Sequence, residues 1–329
     1  MRPYLLIALI LALPLAASAQ SLGNLTSGES SFTVSVNPQY PLPGGVASLS
    51  FLSSTLDLTN ATLSVSVGGS NIYQGSVRPV AVTLGKAGST TKVVTTIASG
   101  GINYRQTLSI QPQDVVLIAE PISSVPVLYP GKSAVPLEGD VRVVAVANLR
   151  SADGKALSPS TLSYSWTVDG MQIANSSGIG KTAIIVASPL QYRVRDVSVA
   201  IMSQDGRLVG GDALSLSATD PLLRIYENDP LLGIRFDHAL SGNYTIAGSE
   251  ATLFAAPFSL PTTNGAPFLQ WFLDGAAAQT GNSITLRPSG KGQGDASLSL
   301  TASTGSYTTA TANLSLFFGA KPSSNFFGL

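Results

Sequence analysis

One short pattern recurs along this 329-residue chain and restricts its fold more than any other feature. "SYSWTVDG" at 163–170 is matched by "FLQWFLDG" at 268–275, each an alternating run around a Trp that closes on Asp-Gly. Alternation of apolar and polar residues buries one face of a β-sheet. Asp-Gly between two such runs specifies a tight hairpin, because both residues tolerate positive φ. The same layout stands earlier in "ATLSVSVGG" at 61–69, where Val65 takes the Trp position and Gly68-Gly69 the turn. The pattern therefore occurs three times with a period of about 100 residues.

A second marker keeps the same period. Two alternating runs joined by a Gly-containing turn occur at 93–110, 197–217 and 297–317. Their turn glycines are Gly101, Gly206 and Gly305, and their closing leucines are Leu108, Leu214 and Leu314. Gly and Pro recur too often between the runs for long helices. The expectation is an all-β chain of three tandem sandwiches at 22–116, 117–218 and 219–319, with an aromatic tail at 320–329.

Short strands in units of about 100 residues, with a Trp on a central strand, specify an immunoglobulin-like sandwich in which that Trp lies between two sheets. Trp166, Trp271 and Val65 are thus expected in the core, with Asp169-Gly170 and Asp274-Gly275 as hairpin turns. A Trp inside an alternating strand is better placed for packing than for stacking on a sugar. "YSWTVDG", the following Gly-x-Gly-Lys and the "YRVRDVSVAIMSQDG" hairpin resemble the bacterial PKD and Ig-like modules of extracellular proteins. The resemblance covers the second and third repeats well and the first more loosely. The whole arrangement also looks like a class of secreted Ig-like proteins from small-genome candidate-phylum bacteria. It implies a fold and not an activity.

The first residues read as an export signal. Arg2 precedes an apolar run from Leu5 to about Leu15, and Ala17-Ser18-Ala19 forms a cleavage site, giving a signal peptide at 1–19. The run is shorter than the roughly 20 residues a bilayer needs and contains Pro14. With 18 basic and 18 acidic residues and 11% charged, there is no field to attract a nucleic acid, which is not expected as a partner. Cysteine is absent, which removes disulfides, thiolate nucleophiles and Cys-ligated zinc.

Few residues carry chemistry. His238 is the single histidine, beside Asp237, and no G-x-S-x-G elbow accompanies it, so neither a two-His metal site nor a hydrolase triad is expected. No cofactor is implied. Asp220, Glu227, Asn228 and Asp229 offer hard oxygen ligands for calcium near the junction of the second and third repeats, although Asn-Asp-Pro is also an ordinary turn. "AEPISSVPVLYPGKSAVP" (119–136) reads either as a polyproline ridge presenting Tyr129 or as the crossover between the first two strands of the second repeat. Asn24, Asn60, Asn175, Asn243 and Asn313 stand in glycosylation sequons. Phe326, Phe327 and Leu329 either dock on a neighbouring subunit or envelope protein, as in strand addition, or form a frayed end.

The function expected from these features is non-enzymatic. The chain reads as an exported structural or adhesive component of the cell envelope or a surface appendage, a spacer that binds envelope or appendage proteins or itself. The alternative is a glycan-binding or enzyme-accessory module.

Overall fold

The computed structural model describes residues 32–127, 129–289, 293–305 and 308–319. The segment expected to be an export signal, Asn24 and the aromatic tail with Phe326, Phe327 and Leu329 lie outside them. The described chain is almost entirely β, built of tandem immunoglobulin-like sandwiches, with two short 3-10 turns at Pro159–Thr161 and Ala174–Ser176. It divides into two compact units. One holds residues up to Gln113 together with 150–155, and the other holds 114–149 with the chain from Ala156 onward.

The first unit contains β1 (Thr33–Asn37), β2 (Val46–Leu52), β3 (Thr62–Val67), β4 (Ser70–Ser76), β5 (Val80–Thr83), β6 (Thr91–Ser99) and β7 (Ile102–Ile110). They form two sheets, β1-β2-β5 and β4-β3-β6-β7. Alternate residues of both sheets, among them Leu49, Leu63, Val65, Val93 and Ile97, meet in one buried core. Contacts with Arg150 close this unit. Gly88 (φ +76) could not carry a side chain, because a Cβ there would stand 2.5 Å from the Arg150 carbonyl oxygen. Gln113, buried, accepts the Arg150 amide at 2.7 Å and donates to its carbonyl at 3.2 Å.

The second unit repeats the arrangement twice. Its first sandwich has β8 (Asp114–Pro121), β9 (Asp140–Asn148), β10 (Ser163–Val168), β11 (Met171–Gln172), β12 (Gly178–Ile179), β13 (Ala183–Ala187), β14 (Val194–Met202) and β15 (Val209–Ser217). The sheets are β13-β9-β8 and β11-β10-β14-β15, with β12 folded back on β10. The next sandwich has β16 (Leu222–Asp229), β17 (Gly233–Ile234), β18 (Gly242–Ile246), β19 (Ala251–Phe258), β20 (Phe268–Leu273), β21 (Ala276–Thr280), β22 (Ser283–Leu286), β23 (Gly294–Thr304) and β24 (Thr308–Phe318). They pair as β17-β16-β19-β22 and β18-β24-β23-β20-β21, with β18 parallel to β24. Each sandwich closes on its own apolar core.

The repeat is visible in the registers. Val93 faces Leu108, Val197 faces Leu214 and Leu298 faces Leu314. Val65, Trp166 and Trp271 pair with Thr95, Val199 and Leu300. β8 starts at Asp114, ahead of the boundary drawn at 117 from the sequence. The last two sandwiches lie in one compact unit, because the chain between β8 and β9 bonds to both of them.

Candidate functional site

The two sandwiches of the second unit are bonded to each other by main-chain and side-chain groups. The segment from Ile122 to Gly139 connects β8 to β9, the crossover reading of the Pro-rich stretch, and on the way it lines the end of β19. The Ser124 amide donates to the Leu260 carbonyl at 2.7 Å, the Ser259 amide to the Ser124 carbonyl at 3.0 Å, and the Thr262 amide to the Ile122 carbonyl at 3.1 Å. Ser124 Oγ accepts the Leu260 amide at 3.1 Å. Ser124, Ser259 and Leu260 are buried, so these bonds are sheltered from water. Ser259 holds φ +58 at the bend after β19, a backbone state a non-glycine residue adopts only when its surroundings impose it.

Side chains close the joint. The Tyr129 ring meets Phe258 edge to face at 5.1 Å, so this tyrosine, although partly exposed, is engaged by the third sandwich. Thr308 Oγ1 donates to Glu138 at 2.7 Å. Gly139 (φ +108) lets the chains approach, since a Cβ there would lie 2.7 Å from the Pro261 Cβ. The Thr219 amide donates to the Val135 carbonyl at 2.8 Å, and Gln191 donates to Asp220 at 3.2 Å. Each such bond contributes about 0.5 to 1.5 kcal/mol net. Their common effect is positional, because backbone bonds on both sides of Ser124 leave little freedom to rotate.

The residues singled out from the sequence fall in several places. Trp166 and Trp271 are fully buried, and their indole N–H groups donate to the Lys181 carbonyl at 2.8 Å and the Gly281 carbonyl at 2.9 Å. Val65 is equally buried. Asp169 (φ 49) and Gly170 (φ 79) form one turn, and Asp274 (φ 48) and Gly275 (φ 80) its counterpart. Gly101, Gly206 and Gly305 all hold positive φ in the later hairpins. The sequence did not reveal that each turn aspartate also ties down a third strand. Asp169 Oδ1 accepts the Asp196 amide at 3.0 Å, and Asp274 Oδ1 the Ser297 amide at 2.8 Å. Asp-Gly in place of the Gly68-Gly69 of the first repeat was the available signal.

Asp220 stands apart from the other three calcium candidates. Asp220 precedes β16 and Asp229 ends it, so an eight-residue strand, roughly 25 Å long, separates them. Asp229 Oδ1 accepts the amides of Leu231 and Leu232 at 2.8 and 2.9 Å. Those amides, Leu232 first, hold its carboxyl below the usual range. Glu227 accepts from Tyr244 at 3.3 Å, and Asn228 is paired with Ile234. Desolvation, then the Glu227 charge, pushes the Tyr244 hydroxyl up to about 12. Among the described residues no group of three or more His, Asp or Glu side chains is gathered to hold a metal. His238 is exposed, next to the Arg235–Asp237 ion pair of 3.1 Å. Asn60, Asn175, Asn243 and Asn313 are exposed.

No family model matches the chain, and no curated protein matches it. Solved structures similar to it include the central fibronectin-III array of RIM-binding protein, at 8% identity over 88% of this chain and 96% of that one, with a TM-score of 0.30. The three N-terminal domains of the bacteriophage RB49 highly immunogenic outer capsid protein match at 13% identity over 88% and 99%, TM-score 0.23. The fibronectin(III)-like modules of Clostridium thermocellum CbhA match at 10% over 60% and 94%, TM-score 0.23.

Proposed function

We propose that this chain is an exported, non-enzymatic structural or adhesive component of a bacterial cell envelope or surface appendage, of the PKD/Ig-like kind. Its second and third sandwiches act as a stiff spacer that sets the distance between binding partners, which are envelope or appendage proteins or further copies. The observation that carries the reading is the joint at Ser124 and Leu260. A tether needs only a linker, whereas here the connecting backbone is shared by both sandwiches. Fractionation of the producing cells tests it. Recovery in the envelope or the medium, with the 1–19 segment removed, supports the proposal. Full-length protein retained in the cytosol overturns it.

A second reading, a glycan-binding or accessory module, is favoured by Tyr192. This residue is 95% exposed and holds φ 60, which displays the ring on a constrained turn. Binding on a glycan array that disappears in Tyr192→Ala would select this reading over the first. Hydrolase turnover by the pure protein would eliminate both.

A further inference from the structure

The third sandwich has an open edge of unusual character. Among the described strands longer than two residues, β21 alone is exposed at every position, and its sequence, Ala-Ala-Ala-Gln-Thr, carries no charge or proline. Such edges invite pairing, and proteins blunt them with Lys, Pro or short length. At the equivalent place in the second sandwich, β11 is only two residues long and β12 pairs with Ser163 and Tyr164 of β10.

We propose that residues 326–329, Phe-Phe-Gly-Leu, add as a parallel strand to β21 of the same chain and complete its sheet. The occupant follows from where β24 ends. Sheet order places β23 and β20 between β24 and β21, so a strand beyond β21 lies four spacings, about 19 Å, from β24. Leu298 pairs with both Leu273 and Leu314, so Phe318 stands four residues, about 13 Å, past the level at which β21 begins. The diagonal is about 23 Å, and the eight Cα steps from Phe318 to Phe326 span at most about 26 to 29 Å when extended, enough to cover it.

Direction and chemistry agree. Gly319 leaves β24 at φ 88, which turns the chain at that end, and Ala-Lys-Pro-Ser-Ser-Asn suits a solvated crossing. A segment entering there and running inward is parallel to β21, and this sheet already contains the parallel pair β18 and β24. The alanine side chains leave room for two phenylalanines, beside the partly exposed Phe272 that faces Ala277.

The chain has no cysteine, so an introduced pair reports without background. Ala277→Cys with Phe327→Cys should form a disulfide within the monomer on mild oxidation of dilute protein, and Asn243→Cys with Phe327→Cys, at the opposite edge of the same sheet, should not. In a chain stopped after Gly319, the outward amides of Ala276–Thr280 should exchange at least about tenfold faster than in the full chain. Crosslinks found only between chains assign the segment to a second copy and overturn the proposal. So do equal yields from the two pairs, or amide exchange that truncation leaves unchanged.

Discussion

Ser124 and Leu260 bond to each other twice, amide to carbonyl at 2.7 Å and, in return, amide to hydroxyl at 3.1 Å, although 136 residues separate them. Ser124→Ala removes the hydroxyl and leaves the Leu260 amide buried without that partner, at a cost of about 1 to 3 kcal/mol. Scanning calorimetry of the full chain should show the transitions of the second and third sandwiches both moving down. A shift confined to one of them would mean that the joint is not shared.

Gly139→Val separates the joint from the cores. The new side chain meets Pro261 at 2.7 Å and forces a β-branched residue into φ +108. NMR relaxation should find one common tumbling time for the second and third sandwiches in the wild type and two in the variant. Two tumbling times in the wild type would contradict a stiff spacer.

Trp166→Ala and Trp271→Ala each remove a fully buried indole and its hydrogen bond. Each should destabilise its own sandwich by about 3 to 5 kcal/mol, the usual cost of truncating a large buried aromatic. The first unit should melt unchanged, as read from its amide signals on heating.

Asp274→Ala places alanine at φ 48 and deprives the Ser297 amide of its acceptor, which together should cost about 1 to 3 kcal/mol in chemical denaturation. Asp274→Asn keeps both the acceptor and the tolerance for positive φ, and should recover most of the loss. Equal losses in the two variants would show that charge, not hydrogen bonding, fixes the turn.

Tyr244 gives a pH signature. Its folded pKa, about 12, lies above the ordinary value of 10.0, so between these values the folded state retains a proton that the unfolded state has released. The contribution is fully present below pH 10 and declines as pH rises toward 12. Denaturation series at pH 9 and 11.5 should show a steeper alkaline loss in the wild type than in Tyr244→Phe.

The strands and turns could be read from the sequence because their determinants are local. The alternation around Trp166 and Trp271 sets the buried face, and Asp-Gly sets the hairpin. The joint could not be read, because it consists of main-chain groups at Ser124, Ser259 and Leu260, whose partners any residue could supply. Proximity along the chain is a weaker guide. Asp220 and Asp229 are near in sequence, but a strand advances about 3.3 Å per residue and carries them apart. The Pro-rich stretch was legible as a crossover, whereas its bonds to the third sandwich depend on a bend held by Ser259, which no pattern announces.

Replacing the indole by Val65 in the first repeat has an optical consequence. Because both indoles of the chain lie in the second unit, each surrounded by its own core, emission on excitation at 295 nm reports only on that unit. The first unit is dark at this wavelength, and its unfolding leaves the signal untouched. A fluorescence melt that ends while far-ultraviolet dichroism is still falling would therefore follow the order in which the sandwiches open, without any label.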